Sequence, residues 1–354
     1  MKFSIYLMAV TALVCVGALF VIVINYAVDP AGIYHESNDS RYQFVRQLVR
    51  SENGLLFPAD AWNERDIAMA LAEYPAEVSC YIIGSSHVMQ ISSSRQQNSL
   101  TKNCPTMMNL GVSGASIEDF VAISGVLLRN INTPVTIVFG IDPWSFNFGR
   151  DSRWIRYRDE YIFMLDKIQS SRGISNNEFS MISNLINREY FIRSVKSFFS
   201  KNDQIILVPE FNYDVGVEDQ VKLSDGSLIY SNEYINNSEL NIVTGMHDYK
   251  IKEGSWFDDH SVRIFTSLVN YLKSNFKIIF VMTPYHPAVW KHEDQPVVKA
   301  MEIVEKKVHE IAKKLNVQVL GSYNPGKVGC VADQFYDAMH PKDECLTLLE
   351  NVVY

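Results

Sequence analysis

Five short apolar runs, separated by longer mixed segments, are the feature of this sequence that most restricts its fold. The runs cover residues 79–83, 107–110, 135–139, 277–282 and 317–320, and turn-forming residues bound each of them. Between the last two runs, apolar residues recur every three or four positions up to Leu315 while Lys and Glu fill the opposite face, which predicts an amphipathic helix. Strands that alternate with helices predict a mainly parallel five-stranded sheet with helices on both faces, a three-layer α/β/α sandwich.

The N-terminal segment has a different composition. Residues 5–24 carry no charge, and such a run is long enough to span a bilayer as a helix. A cleavable signal peptide is the alternative, but the run is longer than a usual signal-peptide core and no A-x-A site follows it. The sequence therefore predicts an uncleaved transmembrane anchor over residues 1–28. Lys2 precedes the run, whereas Asp29 and Glu36 follow it before the first Arg, which predicts a cytoplasmic N-terminus and an exported body on a cytoplasmic membrane.

The rest of the chain divides into three parts by composition. Residues 29–75 are predicted to be a juxtamembrane connector, and residues 76–354 the domain that contains the sheet, with an insertion at about 149–259. The insertion is rich in Asn, Ser, Tyr and charged residues. It either covers an exposed sheet edge or shapes a substrate groove, and the sequence does not separate these two roles.

Charge and cysteine content restrict the partners of this chain. A net charge of −8 argues against a broad nucleic-acid surface, which requires clustered Lys and Arg. Beyond Cys15 in the anchor, four cysteines allow three pairings or an all-reduced state. We predict the pairs Cys80–Cys104 and Cys330–Cys345, because the first pair lies near the starts of two successive predicted strands. The absence of C-x-x-C spacing and the scattered histidines argue against a zinc site, and no cofactor is expected.

Chemically active residues follow the predicted strands. The first strand ends in Gly84-Ser85-Ser86-His87, the second leads to Ser113-Gly114, the third to Gly140-Ile141-Asp142, and Asp337-x-x-His340-Pro341 lies near the C-terminus. In a parallel sheet the loops at the carboxyl ends of the strands lie close together. Attack by a serine on an acyl group needs a base, an acid that orients the base, and donors for the oxyanion. Ser86, His340 and Asp337 provide the attacking serine, the base and the orienting acid, and Gly114 lets a backbone N–H approach an oxyanion without interference from a Cβ.

In this order the motifs resemble those of the SGNH/GDSL hydrolase superfamily over roughly residues 80–345, with the insertion interrupting the resemblance. The resemblance implies a flavodoxin-like fold, Ser86 as nucleophile, Gly114 as an oxyanion-hole glycine, and Asp337 and His340 as the orienting acid and the base. Serine at position 85, in place of the usual aspartate, is similar to envelope acyltransferases of the superfamily that resemble the D-alanyl-transfer protein of teichoic acid or alginate O-acetyltransferases.

Asp142 departs from the superfamily pattern, because an asparagine that donates to the oxyanion usually stands there. An ionised aspartate has no proton to donate. Asp142 is either protonated, turned away to bind backbone amides, or replaced as donor by Asn109 or Asn147. A simple role in capping the turn before Pro143 is the competing interpretation.

Four further residues are candidates for substrate binding. His87 either contacts substrate or packs at the start of the next helix, and Trp144 is either an aromatic platform or a core residue. Tyr285 and His286 follow the fourth strand and are expected at the rim of the site. His286 is a rival to His340 as the base, although no acid lies near it in sequence.

These features predict a membrane-anchored serine O-acyltransferase that acetylates a cell-envelope or exported polysaccharide through an acyl-serine intermediate. The resemblance implies two partners, the polysaccharide acceptor and a multispanning membrane acyltransferase that supplies the acyl group. A carbohydrate acetylesterase is the first alternative. A non-catalytic glycan-binding or assembly subunit is the second, and the departure at Asp142 is its best support.

Overall fold

A five-stranded, all-parallel sheet lies at the centre of the computed structural model. The structure describes residues 2–30, 33–35, 40–56, 64–74, 77–96, 98–131, 133–146, 153–168, 182, 185–199, 220–237, 239, 258–291 and 296–352. The strands are β1 (Leu55–Leu56), β2 (Cys80–Ile83), β3 (Met107–Asn109), β4 (Thr136–Gly140), β5 (Val221–Lys222), β6 (Leu228–Ile229), β7 (Lys277–Met282) and β8 (Gln318–Gly321).

The described helices alternate with the strands along the chain. They are α1 (Lys2–Val28), α2 (Ser40–Arg50), α3 (Glu64–Glu73), α4 (Ser99–Asn103), α5 (Ile117–Asn130), α6 (Arg158–Lys167), α7 (Arg188–Phe199), α8 (Asn232–Asn236), α9 (Asp259–Leu272), α10 (Pro287–Trp290), α11 (Pro296–Leu315), α12 (Pro325–Val328) and α13 (Asp343–Leu346). The amphipathic helix predicted from the spacing up to Leu315 is α11.

The order of strands in the central sheet is β3-β2-β4-β7-β8, with every neighbouring pair parallel. All five predicted strands are present, each within one residue of its predicted bounds. The connection from β2 to β3 and the connection from β3 to β4 run in opposite directions across the sheet. Doubly wound sheets bind ligands at the carboxyl ends of their strands, next to such a reversal. The loops that follow β2, β3, β4 and β7 therefore lie at one edge.

The two faces of the sheet are buried differently. Tyr81 and Ile83 of β2 belong to the larger hydrophobic core, together with α3, α5, α9 and α11. The alternate residues Cys80 and Ile82 belong to a second core that includes residues of α4, α12 and α13. Long amphipathic helices thus cover one face, whereas short helices and loops cover the other.

Two disulfides reinforce the face that the short segments cover. Cys80 of β2 is bonded to Cys104 at the end of α4, and Cys330 is bonded to Cys345 of α13. Their Cα separations of 5.4 and 5.2 Å lie in the usual range for disulfides. Both predicted pairs are confirmed, and Cys15 is the free cysteine of the described chain.

The described part of the connector is packed into the body. In α3, Arg65 donates two hydrogen bonds of 2.8 and 2.9 Å to Asp119 of α5, and both side chains are buried. β1 pairs antiparallel with β5 of the insertion, so that β1, β5 and β6 form a second, three-stranded sheet. The sequence analysis did not predict this sheet, whose strands are only two residues long.

The described parts of the insertion lie in two places. α7 packs against α1, which over Ile5–Val28 is the one described helix that is long and apolar enough to cross a membrane. The β5–β6 hairpin instead docks at the carboxyl edge of the central sheet, where Asn109 donates its backbone N–H to Asp225 O at 2.7 Å. The Asp225-Gly226 pair forms the hairpin turn, and Gly226 has a φ of 77°, a conformation that glycine adopts without strain.

Candidate active site

Ser86, His340 and Asp337 form a continuous hydrogen-bonded chain. The Ser86 Oγ lies 2.9 Å from His340 Nε2, and His340 Nδ1 lies 2.6 Å from Asp337 Oδ2. Ser86 and His340 are 254 residues apart in sequence. The fold therefore brings together the three residues whose types and order the sequence analysis singled out.

The Asp337–His340 turn is built locally, which explains how four consecutive residues hold this geometry. Asp337 Oδ1 accepts the backbone N–H groups of Met339 and His340, each at 2.7 Å. An antiparallel β-bridge between Phe335 and Pro341 joins the residues just before the turn to those just after it. The carboxylate thus fixes the backbone with one oxygen and the imidazole with the other.

The Asp337 carboxylate is kept ionised by its donors. Burial by itself raises the pKa of this carboxyl, but the electrostatic interaction with His340 and the hydrogen bonds from His340, Tyr234 and the Met339 N–H outweigh it and hold the pKa well below its usual value. An ionised carboxylate only accepts hydrogen bonds, so His340 Nδ1 carries a proton. His340 Nε2 is then the acceptor for the Ser86 hydroxyl, as a general base requires.

Ser86 begins a tight turn directly after β2. The turn is a 3-10 helix over Ser86–Val88, and the Ser85 side chain caps it by accepting the His87 N–H at 3.2 Å. Gly84 is packed so closely that a Cβ there would lie 2.5 Å from a methyl carbon of Val88. The first hydroxyl of the Ser85-Ser86 pair therefore shapes the turn, and the second faces His340.

Backbone N–H groups of Ser86 and Gly114 are available as oxyanion donors. The loops that carry them are adjacent, since Val112 donates its N–H to Gly84 O at 3.0 Å. Gly114 has a φ of 65°, which favours glycine. Within the described residues, neither N–H donates to another protein atom.

Glu64 of α3 holds the turn that presents Gly114. Its carboxylate accepts the Ser113 N–H at 2.7 Å and the Ser113 hydroxyl at 3.1 Å. On the other side of the turn, Arg153 donates to Ser113 O at 2.7 Å. The connector thus supports the site, a contribution that its sequence did not reveal.

Asp142 lies in the turn after β4, next to His87. It is 2% exposed, and its Oδ1 lies 3.0 Å from His87 Nδ1. Its backbone N–H donates to Ser145 Oγ at 2.9 Å, as in a turn cap. The structure therefore places the Asp142 carboxylate beside His87, in a buried position after β4.

Asn109 does not replace the missing amide donor. Its Nδ2 donates to the carbonyls of Val88 and Ile91 at 2.7 and 3.0 Å, and its Oδ1 accepts the Gly111 N–H. Both amide hydrogens are therefore used in holding the loops together. Asn147, the other alternative, lies outside the described residues.

The four candidate substrate-binding residues are all buried. The His87 ring contacts the rings of Trp144, Tyr285 and His340 edge to face, with centroids 5.0 to 5.2 Å apart. His286 caps α10, where its Nδ1 accepts the Ala288 N–H at 3.0 Å, and burial lowers its pKa. His87 therefore packs against His340, while Trp144 and Tyr285 pack against His87. Ser86 contacts His340 instead of His286.

The insertion contributes a tyrosine cluster that the sequence analysis missed. Tyr234 donates its hydroxyl to Asp337 Oδ2 and stacks on Tyr230, with ring centroids 4.5 Å apart. Tyr230 also contacts the rings of Tyr336 and His340 at 5.0 and 5.6 Å. Burial is the main cause that raises the pKa of Tyr234 and of Tyr230, so both hydroxyls keep their protons. The Asp225-Gly226 hairpin signal followed by two tyrosines four residues apart was the available clue.

The described residues contain no cluster of His, Cys, Asp and Glu suited to a metal ion. Comparison with known proteins adds no assignment: no protein-family model matches the chain, and no curated protein is significantly similar to it. The functional argument therefore depends on the geometry of Ser86, His340 and Asp337 and on the motifs that surround them.

Proposed function

We propose that this protein is a serine-dependent O-acyltransferase of the SGNH type with a three-layer α/β/α body. The observation that carries the proposal is the chain from Ser86 Oγ through His340 to the Asp337 carboxylate. His340 removes the Ser86 proton as the hydroxyl attacks the acyl carbonyl, and the N–H groups of Ser86 and Gly114 stabilise the oxyanion. The leaving group takes the proton from His340, and the acyl-serine remains.

The second half of the reaction decides between a transferase and an esterase. A hydroxyl of an acceptor, deprotonated by His340, attacks the acyl-serine and regenerates Ser86. We propose a hydroxyl of an envelope or exported glycan as this acceptor, supplied with acyl groups by a multispanning membrane acyltransferase. The anchor-like helix α1 and the Ser85-Ser86 variant of the motif support this choice, because tethering keeps the site beside a membrane-bound donor.

An extracytoplasmic location agrees with the disulfides. Two bridges in one body are typical of oxidising compartments. We therefore propose a single-pass protein with a cytoplasmic N-terminus, α1 in the cytoplasmic membrane and the sheet on the outer side.

The test is to trap the acyl-serine. The full chain, in detergent, is incubated with a small activated acetyl ester, and adducts are located by peptide mass spectrometry. We expect an acetyl group on Ser86, absent in Ser86→Ala and in His340→Ala. Ser85→Ala is the matched control, because it removes the neighbouring hydroxyl without touching His340, and it should keep the adduct.

Folded protein that forms no adduct and does not turn over the ester would contradict the catalytic proposal. Adding candidate glycan acceptors to the trapped adduct then separates the two enzymes. Release of acetate to water alone indicates an esterase, whereas acetyl transfer to the glycan indicates the transferase.

A further inference from the structure

The turn at Ser113 and Gly114, which carries one of the two proposed oxyanion donors, is bonded on two sides to charged side chains from outside the central sheet. Glu64 of α3 accepts the Ser113 N–H at 2.7 Å and the Ser113 hydroxyl at 3.1 Å. Arg153 donates its Nη2 to Ser113 O at 2.7 Å. Both backbone groups of Ser113 are therefore bonded to side chains, one from the connector and one from the insertion.

Arg153 is bonded to the same peptide group that carries the proposed oxyanion donor. The carbonyl of Ser113 and the N–H of Gly114 belong to one planar unit. The described chain has no cis peptide bond, so these two groups point to opposite sides of the backbone. A guanidinium that fixes the carbonyl therefore also fixes the direction in which the Gly114 N–H points.

The charge of Arg153 also strengthens this donor. A hydrogen bond from a cation is stronger than one between neutral groups, and hydrogen bonds joined in a chain polarise one another. A polarised N–H carries more positive charge and stabilises a negative oxygen better. This effect is valuable here, because position 142 holds a carboxylate beside His87 in place of the amide donor of the superfamily pattern.

The segment that carries Arg153 is anchored in the body. Arg153 begins a 3-10 turn that ends at Tyr157. The buried residues of this turn are Trp154, Ile155 and Tyr157. The Tyr157 hydroxyl donates to Asp66 of α3, two residues after Glu64. The two groups that hold the Ser113 backbone are thus also joined to each other by a contact outside the oxyanion turn.

We propose that Arg153 is a positioning residue that orients and polarises the Gly114 N–H for the oxyanion, while Glu64 holds the other side of the turn. This role rests on the proposed serine mechanism, because only an oxyanion on the acyl carbon gives the Gly114 N–H a negative oxygen to bind. The insertion then supports both ends of the reaction. It holds the oxyanion donor through Arg153 and the orienting acid through Tyr234.

The test separates stabilisation of the oxyanion from binding of the substrate. The full chain, in detergent, reacts with a small activated acetyl ester in single-turnover experiments, which give the acylation rate constant and the ester concentration at half-saturation. A small trifluoromethyl ketone is the second probe. The Ser86 Oγ adds to its carbonyl carbon, His340 takes the hydroxyl proton, and the carbonyl oxygen becomes an oxyanion without the loss of a leaving group.

We expect Arg153→Met to lower the acylation rate constant about tenfold, less than the roughly 10²- to 10³-fold cost of removing an oxyanion donor outright. The affinity for the trifluoromethyl ketone should fall by a similar factor. The ester concentration at half-saturation should change less than about twofold, because the oxyanion is absent from the bound ester. Arg153→Lys keeps a charged donor and should show the same pattern with smaller losses, which provides a second variant if Arg153→Met does not fold.

Arg156→Met is the matched control. Arg156 lies in the same 3-10 turn, but its guanidinium lies 3.5 Å from the Asp66 carboxylate. Its removal should leave the acylation rate constant and the ketone affinity near their wild-type values. Equal losses in Arg153→Met and Arg156→Met would overturn the inference, because a disturbed segment would then explain both. Wild-type values of both constants in Arg153→Met would also overturn it.

The wild-type protein separates this inference from the mechanism on which it rests. If the wild type is acetylated on Ser86 and binds the ketone, and Arg153→Met does both equally well, only the role of Arg153 is refuted. If the folded wild type neither reacts with the ester nor binds the ketone, the serine mechanism fails and the role of Arg153 fails with it.

Discussion

Two buried histidine–aspartate pairs lie side by side in this protein, and their surroundings differ. The rings of His340 and His87 are 5.0 Å apart. Asp337 accepts hydrogen bonds from His340, from two backbone N–H groups and from Tyr234. Asp142 meets His87 through Oδ1, while its Oδ2 has no hydrogen-bond partner among the described residues.

The difference shows which pair is suited to proton transfer. His340 presents its second nitrogen to the Ser86 hydroxyl, whereas the ring of His87 is enclosed by Trp144, Tyr285 and His340. A proton relay needs a fixed carboxylate on one side of the imidazole and a reacting group on the other. The same two residue types therefore form a candidate relay at one position and a buried support at the other.

Removing His340, the proposed base, should have the largest effect on turnover. We expect His340→Ala to lower kcat/KM for an activated acetyl ester on the order of 10⁴-fold or more, because no other group accepts the Ser86 proton. His286→Ala is the matched control, and it should keep most of the turnover because its Nδ1 is engaged by the Ala288 N–H. The reverse ranking in a steady-state assay would identify His286 as the base.

Asp337→Asn should reduce turnover on the order of 10⁴-fold or less, because an amide does not hold the imidazole in the required tautomer. Asp142→Asn should have a much smaller effect, since Asp142 does not contact His340. Steady-state kinetics of both variants test the comparison directly. Equal losses of turnover in Asp337→Asn and Asp142→Asn would mean that the two histidine–aspartate pairs act as one unit.

The His87–Asp142 pair should matter more for the stability of the fold than for the rate of turnover. We expect His87→Ala to lower the free energy of unfolding by about 3–5 kcal/mol, because a buried carboxylate loses its partner. The double variant His87→Ala/Asp142→Asn should be more stable than His87→Ala, because no buried charge remains. Urea unfolding in detergent measures the free energy of unfolding of the two variants. A double variant that is less stable than His87→Ala would contradict the pairing of His87 with Asp142.

Because the pKa of Asp337 is lowered in the folded protein, the stability that the His340–Asp337 pair contributes should depend on pH. In the unfolded chain this carboxyl titrates near its ordinary value of about 3.9, and in the folded protein it stays ionised at lower pH. Its contribution to stability is therefore full above the unfolded pKa and is lost as the pH falls through the folded pKa. The stability deficit of Asp337→Asn relative to wild type should shrink when urea unfolding is repeated at pH 3 instead of pH 6. A deficit that does not change with pH would argue against the pairing.

The smallest expected effect concerns the insertion. Tyr234→Phe removes one of the four donors to Asp337 and should cost about 1 kcal/mol of transition-state stabilisation, or roughly fivefold in kcat/KM. Tyr336→Phe removes a hydroxyl from the same cluster without a contact to Asp337, and it should be nearly neutral. Equal effects of the two substitutions would assign the cluster a packing role alone.

The sheet was predictable because a strand buried on both faces leaves a short apolar run in the sequence. The run at residues 277–282 became β7 with identical bounds, whereas β1, β5 and β6 are two residues long and leave no such run. The Asp225-Gly226 pair was a readable hairpin signal that the sequence analysis did not use. Asp337 and His340 were predictable as a pair because one local turn joins them.

His87 as the partner of Asp142 and Tyr234 as a partner of Asp337 were not predictable, because each comes from a distant part of the chain. His87 reaches Asp142 only when the carboxyl ends of β2 and β4 are neighbours in the sheet. Tyr234 reaches Asp337 across 103 residues, through a hairpin that docks on the end of β3. No spacing rule connects such positions.

The sequence by itself determined the elements that depend on local patterns. These are the five strands, the apolar helix α1, the long amphipathic helix α11 and the Asp337–His340 turn, since period, length and nearby donors decide them. Only the tertiary structure decided which histidine faces Ser86, that Asp142 lies beside His87, and where the described parts of the insertion lie. Those choices depend on contacts between distant segments, which the packing of the whole core selects and no single segment specifies.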